Sequence, residues 1–421
     1  MIKLVIIADD FTGALDTGVQ FTAQGVQTLV STRLDLDISE VDSDIQVLVI
    51  DTESRHVSIE EAYSRVYSVT GKAKSAGVEY IFKKTDSTLR GNIGSELKAV
   101  MDAWDTQVLM FAPAYPANGR TTINGRQLVN GVPLNETPFA DDPLEPMKYS
   151  YISEVIEKQV DIATKNINID DLNCCVIEKK KDKAVYIFDS QTHNDMQLVG
   201  VYLKKEQLMN VTAGCAGFAS VLAELIPFKK EKVTYEKSAG NLLVVVGSLN
   251  KASISQVEYA KKHGFNIVKL IPEEKLWSAV RGKNELQGLT SSLAALLKEG
   301  RAVVVVSASD SSDVQDCDRL AQSMNIDKNR IFSIIADSIS EIIKSVMEKC
   351  CVRAIVVFGG DTAIALMKRL ECTGVTPIVE IQPGVVLSKI EDGLYSLVLV
   401  TKAGGFGEDD ILFEIKEFLE E

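Results

Sequence analysis

Residues 80–97 read Tyr-Ile-Phe-Lys-Lys-Thr-Asp-Ser-Thr-Leu-Arg-Gly-Asn-Ile-Gly-Ser-Glu-Leu, and between Lys83 and Arg90 nearly every side chain is charged or carries a hydroxyl. Lys84 and Arg90 can pair with a carboxylate or phosphate, Asp86 can accept from sugar hydroxyls, and Thr85, Ser87 and Thr88 can donate or accept. Such a set suits a small, anionic, hydroxyl-rich molecule. Helix capping also selects Asp, Ser and Thr, but it requires one such side chain and not five. Asp86 is the candidate general base, because Lys83, Lys84 and Arg90 beside it keep it ionised.

The elements around this corner are a strand ending at Tyr80-Ile81-Phe82 and a helix over Glu96–Met101. The same design recurs. Residues 3–8 form an apolar strand that stops at Asp9-Asp10 before a helix from Phe11, where Asp10 or Thr12 either caps the helix or faces a ligand. Gln46–Ile50 ends in Asp51-Thr52-Glu53-Ser54-Arg55-His56, with a helix from about Ile59. Gln107–Ala112 runs into Pro113-Ala114-Tyr115-Pro116-Ala117-Asn118-Gly119-Arg120. Apolar runs separated by helical patterns imply parallel strands, and ligands bind such sheets beyond the carboxyl ends. Residues 113–147, rich in Pro, Asn and Gly, read as a loop or flap over the site.

Further strands are expected at Lys183–Phe188, Asn241–Val246, Ala302–Val306, Ala354–Phe358 and Leu397–Val400, and helices at Ile152–Val160, Asp195–Tyr202, Gly214–Ile226, about 251–262 and Asp410–Leu419. In the second half, strands run into Gly247-Ser248, Gly359-Gly360-Asp361-Thr362 and Thr401-Lys402-Ala403-Gly404-Gly405-Phe406-Gly407, with helices following the first two of these turns directly. Glycines at a helix N-terminus let backbone N–H groups approach a phosphate. Neither GxxxxGK[ST] nor GxGxxG occurs, so this is not a standard P-loop or dinucleotide site.

The chain has 421 residues, more than one ordinary core holds, with 46% hydrophobic and 25% charged residues and a net charge of −14. That charge argues against nucleic acid or an anionic membrane as the main partner. No apolar run approaches the roughly 20 residues of a membrane span, and the N-terminus is too soon acidic for a signal peptide, so a cytoplasmic location is expected. The 7 cysteines lack disulfide or zinc spacing and read as small buried hydrophobes; no metal-ligand set is legible.

Together, Ala8-Asp9-Asp10-Phe11-Thr12-Gly13-Ala14, Lys84-Thr85-Asp86-Ser87-Thr88-Leu89-Arg90-Gly91, the 113–120 stretch, Gly359–Thr362 and Lys402–Gly407 resemble, in order and over nearly the whole chain, the four-carbon acid sugar kinases. The resemblance implies ATP-dependent phosphorylation of a tetronate or oxo-tetronate at its terminal (4-) hydroxyl, with the acid in the N-terminal domain and ATP in the C-terminal one. It implies substrate contacts at Asp10, Arg55, Lys84, Thr85, Asp86 and Ser87, to which the residue reading adds Arg90. It implies nucleotide contacts at Ser248, Gly359, Gly360, Asp361, Thr362 and Gly404, and a homodimer. Mg2+ would bridge the phosphates, as phosphoryl transfer generally requires. Asp16–Gln20 and Asp51–Arg55 are most similar to the D-threonate and D-erythronate kinases and less so to the 3-oxo-tetronate branch, while Leu15 departs from the polar residue often found there.

The expected fold is α/β: two Rossmann-like three-layer domains with mainly parallel sheets and an active site in the interdomain cleft. The expected boundaries are 1–227 for the acid-binding domain, 228–240 for a charged linker after Pro227, and 241–421 for the nucleotide-binding domain. A 3-oxo-tetronate or L-threonate kinase fits the same motifs. A lyase or isomerase acting on a phosphorylated sugar acid would use the glycine turns for substrate phosphate, and a sugar-acid sensor would leave them unused.

Overall fold

The computed structural model describes residues 1–142, 145–177, 182–231, 241–247, 250–280, 286–308, 311–392 and 395–420. The chain divides into two compact units, Met1–Val233 and Thr234–Glu421. Ser248 and residues 232–240 of the expected linker lie outside the described residues.

In the first unit, β1 (Leu4–Ala8), β2 (Thr28–Ser31), β3 (Val47–Asp51), β4 (Tyr80–Lys84) and β5 (Val108–Ala112) alternate with α1 (Phe11–Thr22), α2 (Ile59–Ser75) and α3 (Ile93–Trp104). A small antiparallel sheet follows, of β6 (Arg120–Ile123), β7 (Arg126–Val129) and β8 (Val132–Pro133). β9 (Ala163–Ile167), β10 (Ala184–Phe188) and β11 (Val211–Gly214) complete the main sheet. Its order is β2-β3-β1-β4-β11-β5-β10-β9, parallel throughout. β1, β3, β5 and β10 are buried along their whole length. Helices cover both faces of such a sheet, which is why these strands read as unbroken apolar runs.

The helices follow from local signals. Ser58 caps α2 by accepting from the Glu61 N–H at 3.2 Å, and Glu60, Glu61 and then Lys72, Lys74 oppose the helix dipole at its two ends. Ala62, Val66, Val69 and Ala73 form the buried stripe of α2. Leu15, on α1, is fully buried.

Residues 113–147 differ from the expected flap. Asn124-Gly125 and Asn130-Gly131 each have positive φ at both positions, the geometry of a tight two-residue hairpin turn, so the segment folds into β6–β8. Gln127, fully buried, donates to the Ser87 carbonyl at 2.9 Å and accepts from the Thr122 hydroxyl at 2.8 Å. β6 is also bonded to Ser190 beyond β10 through both backbone groups of Thr122. The segment is pinned to the corner after β4 at one end and to the end of β10 at the other.

The second unit contains β12 (Leu242–Val246), β13 (Asn266–Lys269), β14 (Val303–Val306), β15 (Ala354–Phe358), β16 (Gly374–Gln382), β17 (Val385–Asp392) and β18 (Tyr395–Lys402). Their order is β13-β14-β12-β15-β18-β17-β16, parallel from β13 to β18 and antiparallel from β18 to β16. Both units are therefore α/β with mainly parallel sheets. The β16–β17 hairpin was hidden in the sequence by Pro377 and Gly384; the register shifts beside Pro377, and Gly384 turns the chain at φ +74°. The helix expected from Gly214 begins at Ala216, because Val211–Gly214 is the central strand β11. Cys215, Cys317, Cys350 and Cys372 are buried as expected, whereas Cys174 and Cys351 are exposed. No described helix is long and apolar enough to cross a membrane.

Candidate active site

β3, β1 and β4 are adjacent and parallel, so the residues that follow them meet at one edge of the first sheet. The chain builds the sheet to one side of β1 through β2 and β3 and then to the other through β4, which makes this edge the switch point where open α/β sheets bind ligands. Asp9 and Asp10 arrive from β1, Arg55 from β3, and Lys84 to Arg90 from β4.

Arg55 joins the three loops. Its Nε donates to Asp9 Oδ2 at 2.7 Å, and its Nη2 lies 2.8 Å from Asp10 Oδ1 and 3.7 Å from Asp86 Oδ1. Lys84 Nζ stands 3.5 Å from Asp9 and 3.7 Å from Asp10. Gly13 leaves room for this pair: a Cβ on it would lie 2.3 Å from both Lys84 Nζ and Asp10 Oδ1 and would displace them. Asp10 also caps α1, accepting from the Gly13 N–H at 3.1 Å and the Thr12 hydroxyl at 2.8 Å. The capping and ligand-facing readings of Asp10 thus coexist.

Burial would raise the carboxyl of Asp9, but Arg55, Lys84 and Lys83 outweigh it and hold Asp9 well below the usual carboxylate range. The same pairs overcome desolvation on the cations and raise Arg55 and Lys84 above their ordinary values. Asp51, equally buried at the end of β3, moves the other way: burial and then Glu53 push it up. Between these two aspartates the neighbouring cations, and not depth, decide the direction.

Asp86 is held on both oxygens. Oδ2 accepts from the Thr88 N–H at 3.1 Å, the Thr88 hydroxyl, the Arg90 N–H at 3.3 Å and Arg90 Nε at 3.0 Å, while Oδ1 accepts from Arg90 Nη2 at 3.0 Å. Burial alone would raise it, yet Arg90, Arg55 and Lys84 keep it well below 3.8. A carboxylate so stabilised is a weak base. Thr85 anchors the corner to β11, its N–H donating to the Gly214 carbonyl at 2.7 Å, and the Ser87 carbonyl is taken by Gln127. Of the cations, Arg90 has the most accessible side chain, 29% against 10% for Arg55 and 6% for Lys84.

Beneath lies a second layer. Lys83, fully buried, pairs with Glu96 of α3 at 3.0 Å and donates to the Ile7 and Lys84 carbonyls. Glu96 accepts from Ser54, and Thr52, whose hydroxyl oxygen lies 2.7 Å from that of Ser54, donates to the Ala8 carbonyl. Glu96 is marked in the sequence only as a carboxylate on the apolar stripe of Ile93, Leu97 and Val100.

In the second unit β12, β15 and β18 end side by side. The switch point between β12 and β15 is occupied by Gly247 and Gly359. Gly359 precedes the helix Gly360–Arg369 at φ +107°, a conformation open to glycine, and its N–H donates to the Lys402 carbonyl at 3.2 Å. Gly360, Asp361 and Thr362 thereby supply first-turn N–H groups that lack helical partners, an arrangement able to hold phosphate. Gly404 lies beyond the end of β18, its carbonyl accepting from Ser253 at 3.3 Å and Lys402 at 3.0 Å.

Comparison with known proteins supplies the class. Family models described as a sugar-binding N-terminal domain and a nucleotide-binding C-terminal domain match residues 4–222 and 243–412. The chain belongs to the four-carbon acid sugar kinase family. It is 31% identical to the D-threonate kinase of Salmonella typhimurium, covering 100% of this chain and 99% of that protein. It is 28% identical to the D-erythronate kinase of Heliobacterium modesticaldum (100% and 97% covered) and 26% identical to the 3-oxo-tetronate kinase of Burkholderia multivorans (96% and 94%). Solved structures of proteins from Salmonella typhimurium and Haemophilus influenzae share the fold, with TM-scores of 0.82 and 0.74 at 20% and 22% identity; each covers 99% of this chain and is itself covered over 100%.

Proposed function

We propose that the protein is an ATP-dependent kinase that phosphorylates the terminal hydroxyl of a four-carbon sugar acid, D-threonate or D-erythronate. The observation that carries this reading is the collection of Asp9, Asp10, Arg55, Lys84, Asp86 and Arg90 at one sheet edge, in a chain aligned end to end with sugar-acid kinases. Burying so many charges is costly, and such clusters are retained where they act on a ligand.

Within this reading Arg90 and Arg55 receive the substrate carboxylate, and Lys84, Thr85 and Ser87 frame its hydroxyls. Asp10 faces the acceptor hydroxyl: its side chain is 21% exposed, against 10% for Asp86 and 1% for Asp9. Asp86, whose sequence context suggested a base, serves as the anchor that shapes the corner and aims Arg90. Asp9 orients Arg55 and Lys84 from behind.

The second unit binds ATP through Gly359, Gly360, Asp361, Thr362 and Gly404. The N–H groups opening the Gly360–Arg369 helix fit phosphate oxygens, and the Asp361 carboxylate in that turn is of the hard oxygen type that Mg2+ accepts alongside phosphates. Among the described residues no group of His, Cys, Asp or Glu side chains forms a metal site by itself. When bound, Mg2+ supplies neutralisation of charge on the phosphates.

A coupled assay of ADP release with D-threonate, L-threonate, D-erythronate and 3-oxo-tetronate tests the proposal. Turnover with D-threonate or D-erythronate at a kcat/KM above the other acids is expected. Turnover confined to 3-oxo-tetronate or L-threonate overturns the choice of substrate, and absence of acid-dependent ATP consumption overturns the kinase reading.

A further inference from the structure

β18 ends in a lysine that none of the roles above uses. Lys402 is fully buried, and its Nζ donates to the carbonyls of Gly404 and Phe406, both at 3.0 Å, with Ala403 O and Ser253 Oγ each at 3.4 Å. The ring of Phe358 lies 4.4 Å from the ammonium. From the helix Lys251–Lys262, Ser253 donates to the Gly404 carbonyl at 3.3 Å, and Gln256 donates to the carbonyls of Phe406 and Gly407 at 3.1 and 2.8 Å. The groups facing the ammonium are thus Phe358, Ser253 and the turn carbonyls, with Gln256 bonded to the same turn, and none of them titrates. Burial by itself lowers the ammonium from 10.5 to about 8.

In a trans peptide the C=O and the next N–H point in opposite directions. Carbonyls of Ala403, Gly404 and Phe406 drawn towards Lys402 therefore turn the N–H groups of Gly404, Gly405 and Gly407 to the other side. We propose that Lys402 is a positioning residue for the nucleotide: by gathering these carbonyls it presents the Gly404, Gly405 and Gly407 amides as a nest for the phosphates of ATP, with its own charge behind them. This rests on the reading that the second unit takes ATP, and it adds that phosphate affinity is coupled to the charge state of one buried lysine.

The test is calorimetric titration of the full chain with MgATP from pH 7 to 9.5, on wild type and on the variants Lys402→Met and Lys402→Arg, with D-threonate titrated as the control ligand. Wild-type affinity should be constant to about pH 8 and then fall by up to about tenfold per pH unit, since a bound polyanion favours the protonated lysine. Lys402→Met should bind MgATP about tenfold or more weakly at pH 7 with no pH dependence, its acid affinity unchanged, and Lys402→Arg should regain affinity over Lys402→Met and stay flat with pH. Should Lys402→Met fail to fold, the wild-type titration decides: affinity flat to pH 9.5 overturns the inference and leaves the kinase reading intact. Lys402→Met binding MgATP as wild type does has the same meaning. A wild type that binds no MgATP at any pH overturns the nucleotide reading and this inference together.

Discussion

Asp86→Asn separates anchoring from proton transfer at the centre of the site. Asparagine keeps one oxygen, which can continue to accept from the Thr88 and Arg90 N–H groups, but its amide must then face Arg90 Nη2 at 3.0 Å and Arg55 Nη2 at 3.7 Å. A largely buried guanidinium, Arg55, and a half-buried one, Arg90, lose a charged acceptor and meet a donor instead. Breaking one partner of a buried charged pair costs about 3 kcal/mol or more. For a unit of this size that lowers Tm by roughly 6–12 °C. Because the folded-state carboxyl of Asp86 is depressed, its contribution is fully present above the unfolded value of about 3.9 and is lost as pH falls towards the lower folded value. The Tm difference between wild type and variant should be constant from pH 7 to about 4 and narrow below that. Differential scanning fluorimetry gives Tm, and steady-state kinetics well below it should show kcat within about tenfold of wild type. A Tm unchanged within about 2 °C, together with a kcat loss of roughly 10²–10⁴, would refute the anchoring argument and return Asp86 to the role of base.

Asp10→Asn is expected to shift the loss towards chemistry: asparagine is as good an N-cap but a neutral partner for Arg55 Nη2 at 2.8 Å, so Tm should fall by less than in Asp86→Asn, while kcat falls by about 10² or more; near-normal kcat removes Asp10 from the chemistry. Arg55→Lys cannot serve Asp9 and Asp10 at once with a single ammonium, so the KM for the acid should rise about tenfold or more, equivalent to at least about 1.4 kcal/mol, with the KM for ATP unchanged. An unaltered acid KM would place Arg55 outside the substrate site.

Much of this architecture was written locally. β1, β3, β5, β12 and β15 are apolar runs because both faces of a parallel sheet are covered, and each run stops at a polar residue, a proline or a glycine. The polar corners after β1, β3 and β4 were legible for the same reason, and so were the glycine turns after β12, β15 and β18. β2, β11 and the β16–β17 hairpin were not, since Thr-Leu-Val-Ser and Val-Thr-Ala-Gly are short and mixed, and Pro377 and Gly384 interrupt the alternation. Asn124-Gly125 and Asn130-Gly131 marked turns in the sequence, but only the pairing of β6 with β7 turned the apparent flap into a pinned sheet.

Which charge meets which was decided by the tertiary structure alone. Asp9 reaches Arg55 and Lys84 because strand order sets β1 between β3 and β4, and no periodicity in the sequence carries that order. Of the cations that surround Asp86 in the sequence, Arg90 folds onto both its oxygens and weakens it as a base, whereas Lys83 pairs with Glu96 and Lys84 with Asp9 and Asp10. Lys402 ends an apolar strand; burial against Phe358 and the turn carbonyls makes it part of the turn's scaffold. Sequence fixes the chemical types at each strand end through local pattern, whereas protonation, accessibility and partner depend on distances across strands, which exist only once the sheet has formed.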